Sequence, residues 1–171
     1  MKRVELVVAE CYANACIARE ITRSLNIGVK LRHDVKMSRD KILKKIENLR
    51  GELGESSYLI AIIDYERGDM RKYIDLNFEF KEKNLFNGTV HIGVYKRDKR
   101  VIAVIFDPFI EAFLCKTTRR FCGDDEWGIL KRGDINRVCR ELLAVRVEEG
   151  IGVLSRALNS VLGDPPLFLT A

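Results

Sequence analysis

Three runs of apolar residues in this chain each end on an acid. Leu6, Val7, Val8 and Ala9 lead into Glu10; Leu59–Ile63 lead into Asp64, Tyr65 and Glu66; Val101–Phe106 lead into Asp107. Unbroken apolarity over such short runs fits strands buried on both faces, the habit of parallel sheets covered by helices. Parallel neighbours bring their carboxyl ends to one edge of the sheet, where α/β proteins place their sites. Acids delivered to that edge from separate strands can converge on one divalent cation. The pattern therefore selects an α/β fold and marks these acids as the residues to follow.

The rest of the chain supplies the other layers. Ala13, Cys16, Ile17, Ile21 and Leu25 recur at helical spacing from Tyr12 onward, and residues 26–32 alternate as a short second strand. Ser38 is a natural N-cap for a helix striped by Ile42, Leu43, Ile46 and Leu49. Val90–Tyr95 and Arg100–Phe106 flank the tetrapeptide Lys96–Lys99 and pair as a β-hairpin, which makes the sheet mixed. Asp134 caps a stripe of Ile135, Val138, Cys139, Leu142 and Leu143, and a second stripe over 153–162 stops at Gly163 and the two prolines beyond it. The expectation is a three-layer, Rossmann-like α/β fold with a mixed, mainly parallel sheet. Its core spans about residues 1–116 and a helical C-terminal extension about 117–171, and 171 residues suit a single domain.

No apolar run approaches the ~20 residues of a membrane span, and Met1-Lys2-Arg3 is followed by no signal-peptide core, so the chain is expected to be cytoplasmic. A net charge of +5 is compatible with a polyanionic partner. Glutamine is absent while Lys, Arg, Glu, Ile and Val abound, the bias of hyperthermophile proteins. Five cysteines form no CxxC pair, so they read as small buried hydrophobes rather than a zinc site. Cys115 and Cys122 are the local candidates for a disulfide, which hyperthermophile cytoplasm tolerates. No Gly-rich phosphate loop or nucleophile elbow is present. His91 reads as a strand residue that is packed or turned to solvent rather than catalytic, Trp127 as the anchor of a loop, and Pro166–Leu169 as an apolar tail that docks on a partner or folds back.

Asp64 and Glu66 are two apart and share a side if their strand continues. Such carboxylates are hard oxygen ligands for Mg²⁺ or Mn²⁺. Glu10, from a neighbouring strand end, is a further ligand or a general base. Glu111 lies one helical turn past Asp107, and both are second choices for the same edge. Against this, Asp107 before Pro108 suits a helix cap, and residues 64–69 suit a solvated turn with Arg67, Arg71 and Lys72 as ion partners. Lys44 and Lys45, on the most basic helix face, and Arg119 and Arg120 are the candidates for nucleic-acid backbone contact.

A strand ending in Glu and entering a helix, then a later strand ending in Asp-x-Asp, is the two-part signature of the TOPRIM (topoisomerase–primase) domain. Glu10 matches the first part, and Asp64-Tyr65-Glu66 resembles the second with Glu for the second Asp. Cys11 stands where many members carry glycine. The segment Asp107–Leu114 also looks like an IEaWL-type stretch of uncharacterised prokaryotic TOPRIM-related families. The resemblance covers roughly residues 4–116. It implies Mg²⁺-dependent phosphodiester chemistry on nucleic acid, most simply a nuclease, with Glu10 as acid–base or metal-proximal group and Asp64 and Glu66 as metal ligands. The alternative is a non-catalytic TOPRIM-like module that binds nucleic acid, a protein partner or a second copy of itself.

Overall fold

Leu59 through Ile63 are fully buried and form the middle of β3 (Ser57–Asp64), the strand about which the sheet is built. The computed structural model describes residues 3–24, 29–33, 39–131 and 134–163. β1 (Arg3–Ala9) and β6 (Val101–Phe106) flank β3, both parallel to it. β2 (Lys30–His33) lies parallel outside β1. On the other side β5 (Val90–Tyr95) pairs antiparallel with β6, and β4 (Phe78–Asn84) antiparallel with β5. The order is β2-β1-β3-β6-β5-β4, so β5 alone runs against the rest. The sheet is mixed and mostly parallel, as its sequence suggests.

Alternation along the strands divides the core. Val7, Ile60, Ile62, Val104 and Phe106 face α1 (Tyr12–Arg23), α5 (Ile110–Thr118), α7 (Ile135–Ala144) and α8 (Glu148–Leu162). Val8, Leu59, Ile63 and Ile105 face the opposite way, toward α2 (Arg39–Arg50) and α3 (Asp69–Asn77). Helices thus cover both faces, and each large side chain so buried contributes about 1.5–3 kcal/mol. α4 (Leu85–Gly88) is a single turn between β4 and β5. α6 (Asp124–Lys131) carries Trp127, whose indole donates to the Phe121 carbonyl; the expected loop anchor therefore sits on a helix. Among the described residues no helix is long and apolar enough to cross a membrane.

Asp134 caps α7 as expected, its Oδ1 accepting from the Arg137 N–H at 3.0 Å. Residues 26–28, Ser38 and the tail Pro166–Leu169 lie outside the described residues. The cysteines depart from the expectation of isolated hydrophobes. Cys16 of α1 is bonded to Cys139 of α7, and Cys115 to Cys122, the pair singled out from spacing; Cys11 is free. Among the elements not foreseen are α3 and β4, because both are rich in charge and bury few side chains.

Candidate functional site

The parallel strands β1 and β3 end side by side. The Glu10 N–H donates to the Ile62 carbonyl at 3.3 Å, which carries the pairing one residue past β1. Its side chain turns to β3, where Oε2 accepts from the backbone N–H of Asp64 at 3.0 Å. Asp64, two residues beyond Ile62, keeps the orientation of that residue and points toward α1 and α5. Its Oδ1 accepts from Asn14 Nδ2 at 3.3 Å and from the Ile110 N–H at 3.1 Å. Asp64 therefore satisfies the first turn of α5, the task expected of Asp107, while the N-cap residue Phe109 makes no side-chain cap. Glu10 and Asp64 are each only 8% exposed. The remaining amide atom of Asn14, Oδ1, is buried without a hydrogen-bond partner.

Burial pushes the Asp64 carboxyl well above the ordinary aspartate range, and the charges of Glu10 and Glu111 push it further. The hydrogen bonds from Asn14 and Ile110 offset only part of this. Three acids from β1, β3 and α5 thus share one electrostatic neighbourhood. Burial, and then the charge of Asp64, also raise the Cys11 thiol, so Cys11 is no thiolate nucleophile.

Glu66 does not join them as a continuation of the strand. β3 ends at Asp64, and Glu66 adopts a left-handed backbone, φ 61°. Its N–H donates to the Pro108 carbonyl at 2.7 Å, and its own carbonyl accepts from Arg71 at 3.2 Å. The two-residue alternation that would align Glu66 with Asp64 is broken by this turn. The acids whose charges bear on Asp64 include Glu10 and Glu111.

Asp107 departs in another way. Phe106 lies in register with Asp64, so Asp107, one residue on, emerges on the opposite face. There Arg71 donates to both its oxygens, at 3.0 and 3.2 Å. His91 Nδ1 accepts from the Asn84 N–H at 3.1 Å, which leaves the proton on Nε2 to donate to Asp107 at 2.7 Å. Burial alone would raise the Asp107 carboxyl, but Arg71 and His91 outweigh it and hold it below the ordinary range. Asp107 is an ion-pair residue here, neither a helix cap nor a companion of Asp64.

No protein-family model, curated protein or solved structure matches the chain. The site is read from its own geometry.

The basic candidates do not form one patch. Lys44 and Lys45 lie on α2, and Arg119 and Arg120 close α5 on the other side of the sheet. Arg120 is paired with Glu126 at 2.9 Å. Sequence reasoning missed Asn14, and it placed Arg71 only as an ion partner of residues 64–69, not of Asp107. An amide four residues past Glu10, inside an apolar helix stripe, was a legible signal for the first; the partner of Arg71 was not legible, because nothing linear ties it to Asp107.

Proposed function

We propose that the chain performs metal-dependent phosphodiester chemistry on nucleic acid, as a TOPRIM-like nuclease, at the edge where β1 and β3 end. The observation that carries this reading is the pair of buried carboxylates, Glu10 and Asp64, with one held on the backbone N–H of the other at 3.0 Å. Like charges drawn together away from water repel. The side-chain partners of Asp64, Asn14 and the Ile110 amide, are neutral.

A divalent cation suits this donor set. The carboxylates of Glu10, Asp64 and Glu111 and the orphaned Asn14 Oδ1 are hard oxygen ligands for Mg²⁺ or Mn²⁺. Among the described residues no three Asp, Glu, His or Cys side chains close into a metal cage. Mg²⁺ commonly keeps several waters and takes one or two protein carboxylates, which Glu10 and Asp64 supply. Bound there, the ion would neutralise charge on a phosphate oxygen.

The residues divide the remaining work. Asp64 keeps its proton to higher pH than an ordinary aspartate and would give it up to a bound cation. Asn14 and the Ile110 N–H fix the orientation of Asp64. Glu10 is the group placed to accept a proton from a water attacking phosphorus. The same hydrogen bonds tie β1, β3 and α5 together, which also serves a module that keeps the fold without the chemistry.

Calorimetric titration of Mg²⁺ and Mn²⁺ into the wild type and Asp64→Asn separates the two. The enzyme reading expects binding that is lost in the variant, together with cleavage of labelled single-stranded DNA or RNA. Absence of cation binding from the wild type, even with a non-cleavable oligonucleotide present, would favour the module.

A further inference from the structure

The geometry points to a second site on the same sheet edge but the opposite face: a pocket that holds one nucleotide of a single strand beside the acid cluster. The pocket measures 570 Å³ and is lined by Tyr65, Arg71, Phe80, Lys83, His91 and Asp107, among others. It is joined to the acids by short stretches of chain. Asp64 is followed by Tyr65, and Asp107 is joined through Pro108 and Phe109 to Ile110, whose N–H holds Asp64. A strand draped over the edge therefore meets both.

The pocket's acids are largely occupied within the protein, while Arg71 and Lys83 keep donors to spare. Both oxygens of Asp107 are taken by Arg71 and His91, and Asp75 receives the Tyr65 hydroxyl. Arg71 spends three hydrogen bonds, on Glu66 and Asp107, of the five N–H donors a guanidinium has. It lies 3.9 Å over the Tyr65 ring and its side chain remains 38% exposed. Lys83, on exposed β4, sits 5.2 Å over the Phe80 ring, the only interaction recorded for its ammonium among the described residues.

Tyr65, Phe80 and His91 form a triangle of tilted and edge-on rings with centroids 5.6–5.7 Å apart; Tyr65 and His91 are buried behind it, and half-buried Phe80 is the ring that presents surface to a base. Planar surfaces with spare cationic donors match an unstacked base and its phosphate, since bases stack on aromatic rings and guanidinium planes while lysine meets the backbone. His91, held at both ring nitrogens, and Arg71, held by a two-pronged ion pair, keep the platform in place before any ligand arrives. Duplex bases are already stacked, so the fit is to a single strand.

This inference rests on the phosphodiester reading for its substrate class, and its test runs without metal. Fluorescently labelled pentathymidylate is titrated in EDTA, with binding followed by anisotropy. The wild type is expected to bind. Phe80→Leu and Lys83→Ala are each expected to weaken binding about tenfold, Lys83→Ala also flattening the salt dependence by about 0.7 in log–log slope. Wild-type affinity in both Phe80→Leu and Lys83→Ala, or no binding by the wild type, overturns the pocket. Equal affinity for thymidine monophosphate and the pentamer overturns its assignment to a strand. Failure of cation binding in the calorimetric titration removes the metal reading and leaves these outcomes untouched.

Discussion

At the scale of single residues, two aspartates that end neighbouring strands have opposite titration behaviour. Asp64 has a folded-state pKa raised by burial and by Glu10 and Glu111. Between its ordinary value and that raised one, the folded chain binds more protons than the unfolded chain, so stability falls as pH rises through the window. Asparagine keeps the shape and removes the charge. Asp64→Asn is expected to match the wild type near pH 4 and exceed it in stability at pH 8, in urea unfolding at the two values. A difference independent of pH would count against the buried charge. Asp107 has the reverse sign, because Arg71 and His91 hold its folded pKa below the ordinary range. Its contribution is present above the ordinary carboxylate range and is lost as pH falls through the folded value. Asp107→Ala strands Arg71 and the His91 N–H, at a cost of about 1–3 kcal/mol, and that deficit should shrink in acid. Which acid belonged to which face was not legible beforehand. It follows from the register of β3 on β6, a tertiary fact, and from the left-handed turn at Glu66, a non-glycine in a conformation that no local signal announced.

At the scale of elements, continuous apolar runs were enough to find β1, β3 and β6, since a strand covered on both faces must be apolar throughout. The edge strand β4 escaped because only Phe78 and Phe80 among its residues are apolar, and α3 because it buries just Met70 and Ile74. α8 offers a sharper test of packing against propensity. A Cβ at Gly150 would stand 2.9 Å from the Phe113 ring and 3.3 Å from Thr117 Cγ2. Phe113 is fully buried between Phe86 and Phe106, with centroids 5.1 and 5.0 Å away, so it has little room to yield. At Gly152 the nearest atom is the mobile end of Arg156, at 3.7 Å. Alanine gains about 1 kcal/mol over glycine in a helix, and overpacking costs about 1–3 kcal/mol. Thermal melts are therefore expected to rise for Gly152→Ala and fall for Gly150→Ala. Two shifts of the same sign would show that one of these contacts has been misjudged.

At the scale of the whole molecule, the C-terminal helices are part of the main core: Leu142, Leu154 and Leu158 pack in the same cluster as Ile62 and Phe106. The Cys16–Cys139 bond closes 123 residues and Cys115–Cys122 closes 7. On the loop-entropy account the first contributes about 5 kcal/mol and the second about 2 kcal/mol. Paired serine substitutions are expected to lower urea stability in that ratio, and neither pair should respond further to reductant at its own bond. A cation that binds only the folded chain adds a separate increment, growing with its concentration, so millimolar Mg²⁺ should raise the melting temperature of the wild type but not of Asp64→Asn. The border strand β4 has one more consequence. Among the described residues no strand pairs with its outer side, the arrangement by which sheets recruit strands from other molecules. Glu79, Lys81, Glu82 and Lys83 line this border with charge, and the register slips between Phe80 and Glu82. A chain selected or engineered for a greasier, better-stacking pocket at Phe80 and Lys83 would be stripping the same strand of its guard against fibril growth, so solubility sets a ceiling on how tightly that pocket can grip.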